Sequence, residues 1–269
     1  MSNLLLIPRI EINHYNVMQS QWLVSPTPIM AISLFIHNLE LKVGCKVDGV
    51  AIVHHDYVYH WEEKDPYGHS FHQRRGSVFI NRQDNARNSV EPNTVAMQPV
   101  ATGRLIISLI LNIISDEINY DSLNQFLNTA KITGGNIVSY NHIPKKFIAS
   151  NDIWRYIKSG FLVMERLDLM QVKGKQLDSL LNTIRYKDRS VEVVNSEDSW
   201  IVATTLGYAG ITEIKYKPGV RGSFKHMFVE PLVGLIQYVS IRKQRELPLQ
   251  FWRYKWNPSN NTFICSQTL

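Results

Sequence analysis

What constrains this chain most is the order in which its apolar residues change period. Residues 3–13 open on an apolar run and then alternate, with Ile10 and Ile12 on either side of Glu11, which is the pattern of a strand in a partly covered sheet. Residues 25–44 switch to helical spacing. Thr27 is placed to cap, Pro28 to take the first helical position, and Ile32, Phe35, Ile36, Leu39 and Val43 recur on one face until Gly44 supplies a stop. Residues 48–61 return to extended character, with Tyr57, Tyr59 and Trp61 lining one side. A polar interval over residues 62–99 follows, rich in His, Arg, Asn and Gly, with residues 77–81 as a short strand inside a protruding hairpin or loop. Residues 104–114 form a β-branched run that suits a buried strand, and Leu123, Phe126, Leu127 and Ala130 mark a helix that ends before Gly134 and Gly135. The fourth strand falls at residues 137–140 or at 160–167. The order is β-α-β, a polar excursion, then β-α-β, which is that of a ferredoxin-like domain of the α+β class.

From residue 172 onward the pattern loosens. Leu177, Leu180, Leu181 and Ile184 suggest a helix, residues 200–206 a strand, and residues 231–239 another helix. We therefore expect one domain over residues 1–269, a modified ferredoxin-like plan with an insertion at 62–99 and an irregular C-terminal elaboration at 172–269. Its 44% hydrophobic and 19% charged residues exclude a disordered or collagen-like chain. Cys45 and Cys265 lie far apart with no partner at ligand spacing, so neither a disulfide framework nor a zinc motif is expected, and a reducing compartment fits. The N-terminus does not make a secretory signal. The longest apolar run, residues 105–114, is far short of the roughly 20 residues that span a bilayer. A cytoplasmic protein without membrane contact is the expectation.

The formal net charge is +6, and Lys215, Lys217, Arg221 and Lys225 sit together in IKYKPGVRGSFKHMF, a stretch without an acid. Tyr216 and Phe224 lie among these cations. Cations with interspersed rings suit single-stranded RNA, whose phosphates need neutralising and whose splayed bases stack on flat side chains. In KPGVRG, Pro218 and Gly219 favour a turn that exposes backbone N–H groups, and Gly222 removes a further side chain, so the loop resembles a phosphate cradle. Arg74, Arg75, Arg82 and Arg87 decorate the polar excursion. Gly134 and Gly135, followed by Asn136, admit two readings: a backbone that comes close to a phosphate or a base, or a helix C-cap followed by a turn.

Catalytic signatures are scarce. Five of the nine histidines fall between His54 and His72, yet simple alternation puts His54 and His60 on one face of a strand and His55 on the other, and no HExxH or CxxC accompanies them. No GxSxG, GxxxxGK followed by Ser or Thr, or strand-following GxGxxG occurs. No catalytic residue, metal or cofactor is expected.

Six stretches, LLLIPRIEI, SPTP, VDGVAIVHH, TGGNIVS, GFLVMER and the long segment GYAGITEIKYKPGVRGSFKHMFVEPLVGLIQYVS, recur in order along most of the chain. Together they resemble the subunit that caps the 5′ handle of guide RNA in type I-F CRISPR surveillance complexes, the second subunit of the Csy complex. The resemblance implies a modified RNA-recognition-like fold with a protruding thumb at residues 62–99. It also implies assembly with the large subunit and the backbone-forming subunits, and handle binding without catalysis. Any contact with target DNA would come through the complex. The sites it implies are Arg9 on the first strand, the Gly134–Gly135 pair, and the loop holding Tyr208, Lys217, Arg221 and Lys225. The chain departs from the family in a shorter stretch between Met170 and Ser199 and in Ser139, where the family carries proline.

The expected RNA-binding set is thus Arg9, Arg74, Arg75, Gly134, Gly135, Asn136, Tyr208, Lys215, Tyr216, Lys217, Arg221, Phe224 and Lys225. Two other readings stay open on the residues alone. One is a metal-independent endoribonuclease that uses a clustered histidine as general acid or base. The other is a structural module whose basic loop meets an acidic protein.

Overall fold

The structure, a computed structural model, describes residues 3–64, 68–71, 74–75, 97–98, 101–170, 174–184, 200–218, 222–244 and 248–269. Strand β1 (Asn3–Asn16) leads through a small hairpin, β2 (Met18–Ser20) and β3 (Leu23–Val24), to helix α1 (Ile29–Val43) and then β4 (Val47–Tyr59). Short paired segments follow, β5 (Trp61–Lys64) with β6 (Gly68–Phe71) and β7 (Arg74–Arg75) with β8 (Met97–Gln98). The chain continues through β9 (Thr102–Ile113), α2 (Tyr120–Thr129), β10 (Lys131–Ile132), β11 (Gly135–Ser139), α3 (Ile153–Tyr156) and β12 (Phe161–Glu165). It closes with α4 (Gln176–Ile184), β13 (Ile201–Gly210), β14 (Val229–Ser240), α5 (Ile241–Gln244), β15 (Arg253–Asn257) and β16 (Thr262–Ser266).

Among the described residues ten strands form one antiparallel sheet in the order β10-β11-β1-β9-β4-β12-β14-β13-β16-β15. Its centre is long: β1 pairs with β9 from Asn3↔Ile113 to Asn16↔Thr102, and β4 pairs with the other edge of β9 from Val47↔Ile113 to Tyr59↔Gly103. Alternation along β1 sorts its apolar side chains between two cores. Leu5, Ile7, Ile10 and Ile12 face Ile32, Phe35, Ile36 and Leu39 of α1 and Leu123, Phe126 and Leu127 of α2, and the rings of Phe35 and Phe126 meet at 5.2 Å. Leu4 and Leu6 face the opposite way, toward Ile148, Ile153 and Ile157. Covered on both faces over residues 4–7, β1 opens as a continuous apolar run, as central strands do, before alternation sets in. Each fully buried aliphatic side chain contributes about 1.5–3 kcal/mol relative to exposure.

The second half of the sheet curls back over α1. Leu206, Ile236 and Cys265 join the α1 core, and the Tyr254 hydroxyl lies 2.8 Å from His37 Nδ1 on the helix. Leu180 of α4 packs separately on Ala203 and Leu235. Both cysteines are free and buried. Among the described residues no helix is long and apolar enough to cross a membrane.

The α+β class and the opening β-α-β order match the expectation, and both alternatives for the fourth strand exist: β11 lies beside β1, and β12 beside β4. Two expectations are corrected. Residues 231–239 are not a helix but the body of β14, whose Leu235 and Ile236 are buried in different cores, so the sheet rather than a helical face uses the apolar run. Thr27 does not cap α1. Pro28 takes the N-cap position without a side-chain bond, because the Thr27 hydroxyl is turned inward to His54 and Tyr238. The stop at Gly44 holds: it is left-handed at φ 76°, and its N–H donates to the Glu40 carbonyl. Residues 77–81, with Arg82 and Arg87, lie outside the described residues, as does most of the 62–99 insertion.

Candidate nucleic-acid interface

The basic stretch is the tip of the β13–β14 hairpin. Beyond Gly210 the two arms stay joined: Ile211 N–H donates to the Phe228 carbonyl, and Lys215 and His226 exchange both backbone hydrogen bonds, at 3.0 and 2.8 Å. Met227 lies against Gly210, where any larger residue would collide with it. On this frame the rings stand out into solvent, Tyr216 at 68% and Phe224 at 75% exposure. Lys217 places its ammonium 3.7 Å from the centre of the Phe228 ring, and Lys225 places its own 5.7 Å from Tyr216. The expected interleaving of cations and rings is therefore a set of cation–π pairs, which hold flexible lysine heads beside flat faces on which a base can stack. Gly222 takes φ 82°, so its lack of a side chain is needed by the turn itself. Tyr208 sits lower on the hairpin, paired with Pro231 and Phe263 and packed on the main core rather than presented at the tip. Arg221 and Gly219 lie outside the described residues, and of Arg74 and Arg75 only the backbone of β7 is described.

The glycine pair turns a hairpin, not a helix end. α2 stops at an extended Ala130, β10 intervenes, and Thr133 and Gly134, both at positive φ (52° and 81°), make the two-residue turn into β11. A side chain on Gly135 would lie 2.7 Å from the Tyr15 backbone and 2.8 Å from the Asn13 carbonyl. The close approach permitted by Gly135 is thus taken up by β1 of its own chain. Gly134 and Asn136 remain exposed, and Asn136 stands opposite Asn13.

Arg9 lies on β1, next to β11, and its exposed side chain rises from a bulge: pairing with β9 skips from Ile7↔Leu109 to Ile10↔Ile107, and Arg9 takes φ 50°. The expected set therefore forms two groups. Arg9, Gly134 and Asn136 share the β1–β11 side of the sheet, whereas Lys215 to Lys225 project from β13 and β14, with β9, β4 and β12 in between.

Among the described residues the histidines are dispersed. A bulge between His54 and Asp56 resets the alternation of β4, so His54 keeps company with Tyr57 at 5.5 Å, while His60 meets His14 at 5.0 Å; a shared face for His54 and His60 does not survive it. His54 Nδ1 lies 3.1 Å from Thr27 Oγ1, and His55 Nε2 lies 2.7 Å from Ser108 Oγ. Burial pushes His54 down to about 4, with repulsion from His55 second; burial followed by the Arg9 charge does the same to His55. Both rings are neutral near pH 7. Among the described residues no three His, Cys, Asp or Glu side chains are grouped to hold a metal.

Two features escaped sequence reasoning. Tyr57, Phe161 and Trp200 open onto a cavity of about 220 Å³, with the Trp200 ring 67% exposed and stacked 6.2 Å from Phe161. Arg9, His55 and Ser108 open onto another of about 180 Å³, whose far wall carries Lys158. The sequence marks Tyr57 by alternation, His55 in the histidine run and Arg9 by resemblance, whereas Ser108, Lys158, Phe161 and Trp200 reach the cavities from distant segments.

A family model for CRISPR-associated proteins (Cas_Csy2) matches residues 5–265, and so takes in β1, the hairpin tip and β16 alike. No curated protein matches the chain. With nearly its whole length accounted for by one family, the chain belongs to Cas_Csy2, the type I-F class of Csy complex subunit.

Proposed function

We propose that this protein is a noncatalytic RNA-binding subunit that holds the 5′ handle of the guide RNA in a type I-F complex, where base pairing by the guide reads the target. The observation that carries the proposal is the hairpin tip, with Tyr216 and Phe224 exposed beside Lys217 and Lys225 on a hydrogen-bonded frame. Membership of the family supports the setting, namely guide RNA, the large subunit and the backbone-forming subunits as partners in the cytoplasm. The strand order β11-β1-β9-β4, with α1 and α2 in one core, supports the ferredoxin-like, RNA-recognition-like plan within a single domain. In this reading residues 62–99 are the thumb. RNA contacts come from Arg9, Arg74, Arg75, Gly134, Asn136, Lys215, Tyr216, Lys217, Arg221, Phe224 and Lys225, while Gly135 and Tyr208 shape the backbone that carries them. The noncatalytic reading is supported by the burial of His54 and His55, each of which has one ring nitrogen engaged, by Thr27 and Ser108 respectively.

Filter binding tests it. Handle RNA is expected to bind more tightly than a scrambled RNA of equal length, both to the chain alone and to the chain assembled with its partner subunits. Equal, weak binding of the two RNAs at moderate salt in both preparations would refute the proposal.

A further inference from the structure

The bulge at Arg9 is braced from the neighbouring strands β9 and β4. The Arg9 N–H donates to Ser108 Oγ at 2.8 Å, and the same hydroxyl lies 2.7 Å from His55 Nε2. The Ser108 oxygen accepts from Arg9, and where the ring proton sits on Nδ1, the edge toward Ser159, the Ser108 hydroxyl donates to Nε2. Nδ1 is buried and makes no hydrogen bond of good geometry, although the nearby Ser159 carbonyl favours a proton there. Against that edge presses Gly160 at φ 133°, where a side chain would lie 2.9 Å from Nδ1 and 2.7 Å from Val53. One Ser–His pair thus fixes both the strained Arg9 and the turn that carries Lys158.

Between these two walls lies the cavity of about 180 Å³, lined also by Asn141, Tyr156 and Ser159. Arg9 and Lys158 are both exposed, and neither forms an ion pair among the described residues, in contrast to Arg104, Arg155, Arg166 and Arg253. Two cations without an ion-pair partner line one small cavity, so an anion placed between them is attracted by both. A guanidinium, an ammonium and neutral donors together match an anion with several oxygens.

We propose that this cavity is a single-phosphate site, in which Arg9 and Lys158 grip one backbone phosphate of a single-stranded nucleic acid while Ser108 and His55 act as positioning residues. The source of the phosphate rests on the RNA-binding reading above; the site adds Lys158, Ser108 and His55 to it and stands apart from the hairpin tip.

The test uses the full chain and a mixed-sequence single-stranded RNA of about eight nucleotides, within the site sizes of such proteins. Arg9→Gln and Lys158→Gln are each expected to weaken binding about tenfold, the size of a lost charge-assisted contact. The double variant should be scarcely weaker than either single one, since both side chains hold the same group. The salt slope should fall by about 0.7, the value for one phosphate of a single strand. Ser108→Ala should weaken binding and Ser108→Thr, which keeps the hydroxyl, should not. Wild-type affinity in the Arg9→Gln/Lys158→Gln variant, with affinity lost in Lys215→Gln/Lys217→Gln, would overturn the site and leave the RNA reading standing. If no RNA binds to the chain alone or in its complex, that reading falls, and titration with inorganic phosphate decides the site. Side-chain NMR signals of Arg9 and Lys158 that shift with phosphate but not with chloride at equal ionic strength would keep it, with free phosphate or a nucleotide as the source; unmoved signals would overturn it.

Discussion

Arg9 occupies a backbone region that side chains with a Cβ enter at a cost of about 1–2 kcal/mol, and it does so at the position that presents its charge. Such strain persists where the surroundings over-determine it, here through Ser108. Arg9→Gly is therefore expected to raise stability by up to about 1 kcal/mol, because glycine is at ease at this φ, while lowering RNA affinity because the cation is gone. Urea unfolding and RNA binding measured on one preparation check both signs. A stability loss would mean that the side chain, not the backbone, anchors the bulge. Gly135 offers the opposite case. Its missing Cβ is claimed by backbone atoms of Tyr15 and Asn13, which cannot rotate away, so Gly135→Ala should cost about 1–3 kcal/mol, and Gly134→Asn, in open space at a tolerated φ, should cost little. Sequence reading marked both glycines but could not tell them apart, since one answers to its own φ and the other to a strand more than a hundred residues away.

At the scale of elements, legibility followed burial. α1, α2 and β4 each have one face or end open enough for the apolar period to show, and they lie where the period put them. PLVGLIQYV reads as a helix because it is apolar throughout its middle; in β14 Leu235 and Ile236 enter separate cores on opposite faces, which removes the alternation that declares a strand. The basic, ring-bearing character of the hairpin tip is legible because solvent exposure leaves its composition free of packing demands. Its energetics follow from the same exposure. Phe224→Ala should change stability by no more than about 0.5 kcal/mol while weakening RNA binding by about 1–3 kcal/mol, the usual worth of one base stacked on one ring. Lys217→Gln should lower the salt slope as well, because in the proposed interface the ammonium held above Phe228 neutralises a phosphate. Loss of stability in step with affinity would show that the tip is a folding element instead.

The whole molecule depends on a sheet that curls around α1, and the curl is sealed where its two halves meet at Thr27. The Thr27 hydroxyl lies 3.1 Å from His54 Nδ1 on β4 and 2.8 Å from the Tyr238 hydroxyl on β14, and Thr204 on β13 donates to the Thr27 carbonyl. His54 is 6% exposed and titrates near 4, against about 6.5 when unfolded. The unfolded chain therefore binds the extra proton between those values, and the stability contributed by the neutral ring is complete above pH 6.5 and is lost as pH falls toward 4. At pH 4.5 the loss from this residue is about 2–3 kcal/mol. Two ion-paired carboxylates act in a more acidic window: Arg253 holds Asp48, and Arg166 holds Asp168, below the ordinary 3.8, so their contributions are lost at lower pH. His55, likewise pushed down to about 4, contributes stability that is lost over the same window. Urea unfolding at pH 7.5 and 4.5 should therefore show the acid loss cut by roughly half in His54→Gln, which keeps an amide for Thr27 but cannot titrate, and cut further in His54→Gln/His55→Gln. An equal loss in His54→Gln and the wild type would place the acid sensitivity elsewhere and leave the seam at Thr27 without its role in closing the sheet over α1.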